Sequence, residues 1–438
     1  MGTTGKDRGS MQRRVLLASL VGTTVEFYDF YIYATAASLV FGPLFFPASS
    51  ASAQLLSAFA SIGLAFVARP VGAAFFGHFG DRIGRKSTLV ASLLLMGAST
   101  FLIAFLPTYA TAGWVAPLLL CILRFGQGFG LGGEWGGAAL LAVENAPPGC
   151  EGRYGSVPQM GAPLGFIAAN GLFLILGVLL TPDQFRDWGW RLPFLVSAAL
   201  VGLGLWVRLK LTETPAFAAC LEEGPPPAVP LGTLLRDHLP ATIAGTFGAV
   251  ACFAIYYIST AFALGYSVTT LGFDRESMLA VQLLAILFMA AAIALSGWAS
   301  DRSSPRAVLI GGCVASVPVA LLLAPLMESG SLIGVFAFLS LGLACMGFVY
   351  GPLGAFLPGL FPARVRYTGA SLTFNIGGIL GGALTPVIAQ AMAGGGQGLA
   401  PVGLYLAGAG VVSLIALLLV RPVRDHGAGA MRGEALVP

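Results

Sequence analysis

A chain of 438 residues that is 57% apolar and only 10% charged cannot clothe a soluble fold, which carries roughly a quarter charged residues. A mean hydropathy of +0.86 excludes a disordered chain, and a formal net charge of +4, carried at the ends of apolar stretches, is no nucleic-acid signature. What remains is a polytopic membrane protein with room for about a dozen spans of about 20 residues each.

The first apolar stretch, 15–41, follows Arg13 and Arg14 but holds Glu26 and Asp29, which the apolar region of a cleaved signal peptide would not carry. Further stretches follow at 53–78, 88–107, 115–142, 155–180 and 191–211, then at 239–263, 277–300, 306–326, 332–359, 367–393 and 399–420, twelve in all. The segment Leu221 to Pro230 (LEEGPPPAVP) is too polar and proline-rich to span. It predicts a cytoplasmic linker at 218–237 between six-helix halves at 1–217 and 238–438. With a cytoplasmic N-terminus, only Arg186, Arg191 and Arg275 of the 23 basic residues fall outside, Arg69 and Arg124 fall within spans, and 18 face the cytoplasm. The positive-inside rule therefore predicts that both termini are cytoplasmic.

The halves carry an internal repeat. Gly77-His-Phe-Gly-Asp81-Arg82-Ile-Gly-Arg85-Lys86 returns as Gly297-Trp-Ala-Ser-Asp301-Arg302-Ser-Ser-Pro-Arg306, with Ser304 at the place of Gly84. Both copies follow the second span of their half, as expected of parallel repeats about an axis along the membrane normal. Gly128, Gly132 and Gly136 are spaced by four, as are Gly377 with Gly381 and Gly378 with Gly382, which predicts close helix packing in lipid. Residues 128–133 also match a dinucleotide GxGxxG, but no βαβ unit surrounds them. The near match of 80–87 to a phosphate loop is one residue short. Six cysteines lie singly, and His78, His238 and His426 have no metal-ligand spacing. These features predict no enzyme, no cofactor and no metal.

An ionisable residue at the centre of a span costs about 2.5–3.5 kcal/mol on insertion scales, so each one needs a reason. At about 1.5 Å per residue, Glu26 and Asp29 sit about 16 and 21 Å into span 1, near midplane, and Arg124 reaches the same depth in span 4. Three residues apart, the two carboxylates are expected to share a helix face, with Tyr33 adding a hydroxyl. Two readings stay open: a proton-and-anion site, or a static ion pair locking span 1 to span 4. By depth, Arg69 in span 2 matches Glu134 in span 4. Either Arg69 binds a substrate carboxylate bidentately, or it pairs with Glu134 beneath the cavity. Gln127, Gln159, Asn170, Tyr256, Tyr257, Tyr350 and Asn375 are candidates to bind hydroxyls or a ring, each also able to serve as an interhelical hydrogen bond.

Gly77 to Lys86 resembles the signature loop between spans 2 and 3 of the major facilitator superfamily, and Arg124-Phe-Gly-Gln127-Gly128 resembles its span-4 motif. Glu26-Phe-Tyr-Asp29-Phe-Tyr-Ile-Tyr33, Ala68-Arg69-Pro70-Val-Gly72, Gly132-Gly-Glu134-Trp135-Gly-Gly137 and Trp188-Gly-Trp190-Arg191-Leu-Pro193-Phe194 are similar to the metabolite:proton symporter family, nearest to its shikimate-transporting members. The likeness is thinner through 260–266 and 364–370. It implies an all-α fold of twelve helices in two pseudo-symmetric bundles. It also implies a cytoplasmic charge network around Glu144, for which a solvated surface carboxylate is the alternative. Gly77, Asp81, Arg82, Arg85, Asp301 and Arg302, with Glu134 and Glu144, are the candidate gate. Asp81 is expected to pair across the interface near the start of span 11 with Arg364 and Arg366, unless the loop is only a topology signal.

The expected function is a monomeric, multi-pass inner-membrane symporter that imports a small organic acid, shikimate-like or another mono- or dicarboxylate, with the proton carried by Asp29, helped by Glu26. Uptake of a zwitterionic solute such as a betaine is the alternative within transport, and a non-transporting sensor the alternative outside it.

Overall fold

The computed structural model describes residues 5–46, 51–210, 222 and 227–420. Ten helices among them are long and apolar enough to cross a bilayer. They are α1 (Gln12–Phe45), α3 (Arg85–Ile103), α4 (Val115–Glu144), α5 (Glu151–Leu179), α6 (Gly189–Leu209), α7 (Leu239–Thr269), α8 (Arg275–Arg302), α10 (Leu332–Phe356), α11 (Arg366–Ala393) and α12 (Ala400–Leu419). The 32-residue helix Ala51–Arg82 supplies α2, and Pro305–Leu321, continued by Leu323–Met327, supplies α9. The expected twelve spans are thus all helical, and no described residue lies in a strand.

Several helices run past the ends of their apolar stretches. Gly77 to Arg82 form the last turns of α2, so the apparent loop between α2 and α3 shrinks to Ile83 and Gly84. Gly84 turns the chain at φ 117°, a conformation closed to side chains bearing Cβ. Its counterpart Ser304 is extended, at φ −167°, and its hydroxyl accepts from Ala307 N–H at 3.1 Å to cap α9. The repeat therefore dispenses with glycine where a side-chain cap does the turning.

Within the first half α4 packs on α2 and α3, and α1 on α5; in the second, α8 packs on α10, and α12 on α7 and α9. The halves meet through α2 and α4 against α11, and through α5 against α8. The glycine steps explain how closely. A Cβ on Gly128 would fall on Ala65 of α2, and one on Gly132 on the Arg69 carbonyl. Gly136 faces Ser371 of α11, while Gly377 and Gly381 face the Thr246 and Val250 carbonyls of α7. Five-residue π-helical segments interrupt α1 at Ala37–Phe41, α7 at Ile258–Phe262 and α11 at Ile379–Ala383, the first two at corresponding places in the repeat.

Of the expected linker, residues 218–221 and 223–226 lie outside the described residues. Its end is a helix, Pro230–Asp237, started by a proline at the first position and anchored by buried Leu234 against α2, α7 and α11.

Candidate functional site

A small cavity of about 30 Å³, enough for one water, lies between the halves. Glu26, Phe30 and Tyr31 of α1 and Arg69 of α2 line one side; Tyr256 and Tyr257 of α7, Tyr350 of α10 and Asn375 of α11 line the other. Arg69 is 7% exposed, and its guanidinium carbon lies 4.7 Å from the Phe30 ring centre and 4.6 Å from that of Phe66. No carboxylate among the described residues pairs with it, and its Nε has no hydrogen-bond partner. Glu26 leaves Oε2 without a partner, and Tyr350 its hydroxyl. The cavity thus holds a cation, a carboxyl group and a hydroxyl, each with bonding capacity unused.

The pairing of Arg69 with Glu134, one of its two readings, is not made. Glu134 is clasped by Arg208 of α6, whose Nη1 donates to Oε2 at 2.9 Å and whose Nη2 donates to Oε1. Ser92 adds a bond to Oε2 at 3.1 Å, and Arg208 also donates to the Leu89 carbonyl at 2.9 Å. Positional counting places Arg208 with the cytoplasmic cations. It sits instead inside the bundle and lies over Gly22 of α1, where a Cβ would strike the guanidinium. The available signal was its place within the stretch 191–211.

The expected face shared by Glu26 and Asp29, and their pairing with Arg124, also fail. Residues three apart on a helix differ by about 60° in direction, enough to send Glu26 into the cavity and Asp29 toward α6. There Asp29 Oδ1 accepts from the Ser197 hydroxyl at 2.5 Å, while Oδ2 has no partner. Arg124 donates to Gln127 Oε1 and stacks on Tyr33, its carbon 3.9 Å from the ring centre, with Nε and Nη2 unused. Phe30 stands between the two arginines, 5.3 Å from Arg124. No carboxylate among the described residues pairs with Arg124, so the static ion pair to span 1 is not formed.

Of the candidate substrate-binding residues, Arg69, Tyr256, Tyr257, Tyr350 and Asn375 line the cavity, joined by Glu26. Tyr256 donates its hydroxyl to that of Tyr31 across the halves, and Asn375 Nδ2 donates to the Gly132 carbonyl at 3.0 Å. The others bond within the first half. Tyr33 meets the Ser61 hydroxyl at 2.7 Å; Gln127 donates to the Asp29 carbonyl at 3.1 Å and to Thr100 at 2.8 Å. Gln159 accepts from Trp135 Nε1 at 3.0 Å, and Asn170 from Thr35 at 2.9 Å. Sequence reading overlooked Tyr31 and Phe374. The latter stacks on Trp135 at 3.7 Å, joining α4 to α11.

The end of the bundle that carries the turn between α2 and α3 is closed. Asp81, 1% exposed, accepts from Tyr367 N–H at 3.1 Å, Thr368 N–H at 3.0 Å and the Thr368 hydroxyl at 2.8 Å, all at the start of α11. Those amides have no partner within their own helix, and the positive end of the helix dipole favours a carboxylate. The place is as expected, but the partners are backbone amides rather than Arg364 or Arg366. Gly77 and Gly80 leave room for Thr368 and Tyr367. Arg85 lies 3.6 Å from Asp81, donates to the Ala363 carbonyl at 3.1 Å, and lies 3.8 Å from Glu144. Arg366 approaches Glu144 from the other half at 3.6 Å. Glu144 is thus buried in a charge cluster, not solvated.

In the second half, Asp301 accepts from Gly152 N–H at 2.8 Å and Arg153 N–H at 3.2 Å at the start of α5, and pairs with Arg153 Nε. Arg82 and Arg302 do not cross the interface. Both are exposed, the first 3.2 Å from His78 Nε2 and the second 3.6 Å over the Trp298 ring.

Residues 19–386 match the Major Facilitator Superfamily. The chain is 50% identical, over 95% of both chains, to the inner membrane metabolite transport protein YhjE of Escherichia coli K12. It is 37% identical to the shikimate transporter of the same organism, over 89% of this chain and 91% of that one. Its fold is similar to that of the proton:xylose symporter XylE bound to 6-bromo-6-deoxy-D-glucose, with a TM-score of 0.76 over 94% of this chain and 95% of that one at 14% identity. The chain belongs to the Major Facilitator Superfamily, as a multi-pass membrane transporter of its metabolite-carrying kind and not an enzyme.

Proposed function

We propose that the chain is a proton-coupled symporter that imports a small organic acid by alternating access, in the inner membrane with both termini cytoplasmic. The observation that carries this reading is the buried Arg69 guanidinium, which faces the cavity with no carboxylate paired to it. An unpaired buried charge costs several kcal/mol, which an arriving counter-ion relieves. A substrate carboxylate fits a guanidinium bidentately. Glu26 shares the cavity with an open oxygen. When ionised it competes with the substrate for Arg69, and when protonated it leaves the guanidinium to the acid. Proton and acid therefore favour each other, which is the coupling a symporter needs. Asp29, turned away from the cavity, supports α1 against α6 and is not the first proton carrier. The open Tyr350 hydroxyl and the Asn375 amide suit a hydroxylated acid, and the likeness to a transporter named for shikimate supports that class.

The Asp81 and Asp301 clamps hold the cytoplasmic side shut in the outward-facing state, and their release admits the inward-facing one. A second reading, import of a betaine, draws on Phe30, Tyr31, Phe253, Tyr257, Tyr350 and Phe374 around the cavity, whose rings suit a quaternary ammonium while Arg69 takes the carboxylate. Uptake into proteoliposomes separates the readings. Shikimate uptake is expected to rise with an inward proton gradient, to collapse with a protonophore and to exceed betaine uptake. Equal driving by sodium at symmetrical pH would remove the proton, and preference for betaine would remove the acid.

A further inference from the structure

A second and larger cavity, of about 390 Å³, opens between the halves at the outer side and shares no lining residue with the central one. That is the size of a small-ligand pocket. Its walls come from the outer ends of α1 and α5, the short helix Pro182–Asp187 and the first turn of α8. They are mainly apolar, with Leu39, Leu174, Gly177 and Leu279 among them. At the rim stand Arg186, Arg275 and Glu276. Arg186 is held by Asp183 at 2.8 Å. Arg275 is half-buried and, among the described residues, forms no ion pair or side-chain hydrogen bond. The wall on α5 continues into Ile175, Val178 and Leu179, each more than half exposed, and α8 continues into exposed Leu284 and Leu287. The mouth is therefore flanked by lipid-facing helix surfaces, with its cation where both helices end at the outer interface.

We propose that this cavity seats a phospholipid of the outer leaflet, with its phosphate on the Arg275 guanidinium and one acyl chain between α5 and α8. Three observations favour a lipid over a small acid on its way inward. The walls offer almost nothing polar to a hydroxylated acid, the apolar lining continues into the lipid-facing surface, and the single unpaired cation lies at headgroup depth. Glu276 beside it supplies a carboxylate for a headgroup ammonium, so a zwitterionic phosphatidylethanolamine matches both charges. Because α5 and α8 belong to different halves, the seated lipid props the outer side open.

The test is photo-cross-linking in vesicles that contain phosphatidylethanolamine with a photoactivatable group midway along one acyl chain, followed by peptide mapping. Cross-links are expected to concentrate between residues 172–180 and 275–284 and to fall at least fivefold in Arg275→Gln and in Gly177→Phe. The second substitution fills the seat without a clash, since a Cβ on Gly177 meets open space, so it remains informative if Arg275→Gln does not fold. Labelling unchanged in Gly177→Phe overturns the proposal. So does labelling lost in Gly177→Phe but kept in a folded Arg275→Gln, which leaves a greasy cleft without phosphate recognition. Suppression of labelling by millimolar inorganic phosphate or shikimate overturns it too, because the seat would then belong to small anions.

Discussion

Two carboxylates are buried to a similar extent in this chain and live differently. Asp81 accepts three hydrogen bonds from the start of α11 and has Arg85 beside it. Glu26 faces a cavity with one oxygen unpartnered and Arg69 nearby, equally unpaired. A buried polar network that is satisfied holds its elements together, and one that is unsatisfied is costly until something arrives to complete it. The first suits a clamp, and the second suits a binding site as proposed above. The halves show a graded version of the same contrast. Asp301 repeats the clamp at the start of α5, but its partner Arg153 is 56% exposed and so weakly held.

Substitutions at these places break or sharpen the comparison. The largest effect is expected at Arg69: Arg69→Gln should lower uptake more than a hundredfold with membrane insertion intact, and Arg69→Lys should recover little, since the planar fork is lost. Recovery in the lysine variant would show that charge alone suffices. Next comes Glu134→Ala, which strands the Arg208 guanidinium and should cost about 3–5 kcal/mol of stability, as breaking buried pairs does. Thermal unfolding in detergent would read this, and an unchanged midpoint would reduce the pair to decoration.

Asp81→Asn loses charge-assisted bonds of about 1.5–3 kcal/mol each. It should raise labelling of a single cysteine in the cytoplasmic half of the cavity about tenfold or more while slowing uptake. Unchanged labelling would make the loop a topology signal after all. Asp301→Asn should do the same only a fewfold, because its site is wetter. Arg302→Ala, which removes only stacking on Trp298, should leave labelling and uptake unaltered.

Span number, repeat and helix-packing glycines were legible in the sequence because they rest on composition and spacing. Asp81 was legible as far as its neighbourhood, but not its partners, since every residue carries an amide N–H and none announces itself as a ligand. Glu26 and Asp29 looked equivalent because spacing gives their separation around the helix and not the helix's rotation. Arg208 was hidden by its position three residues inside the end of an apolar stretch, where a long side chain can either leave the bilayer or turn inward. Only the packing of α6 against α1 and α3 decides that. Ser304 shows the reverse: a departure from the repeat that reads as decay is a working cap.

The central claim is that Glu26 carries the coupling proton beside Arg69. The most direct test compares uphill accumulation with counterflow exchange of shikimate in Glu26→Gln proteoliposomes. The permanently neutral side chain should retain exchange at near-normal rates and lose all accumulation driven by an inward proton gradient. Unimpaired uphill uptake in that variant would contradict the account.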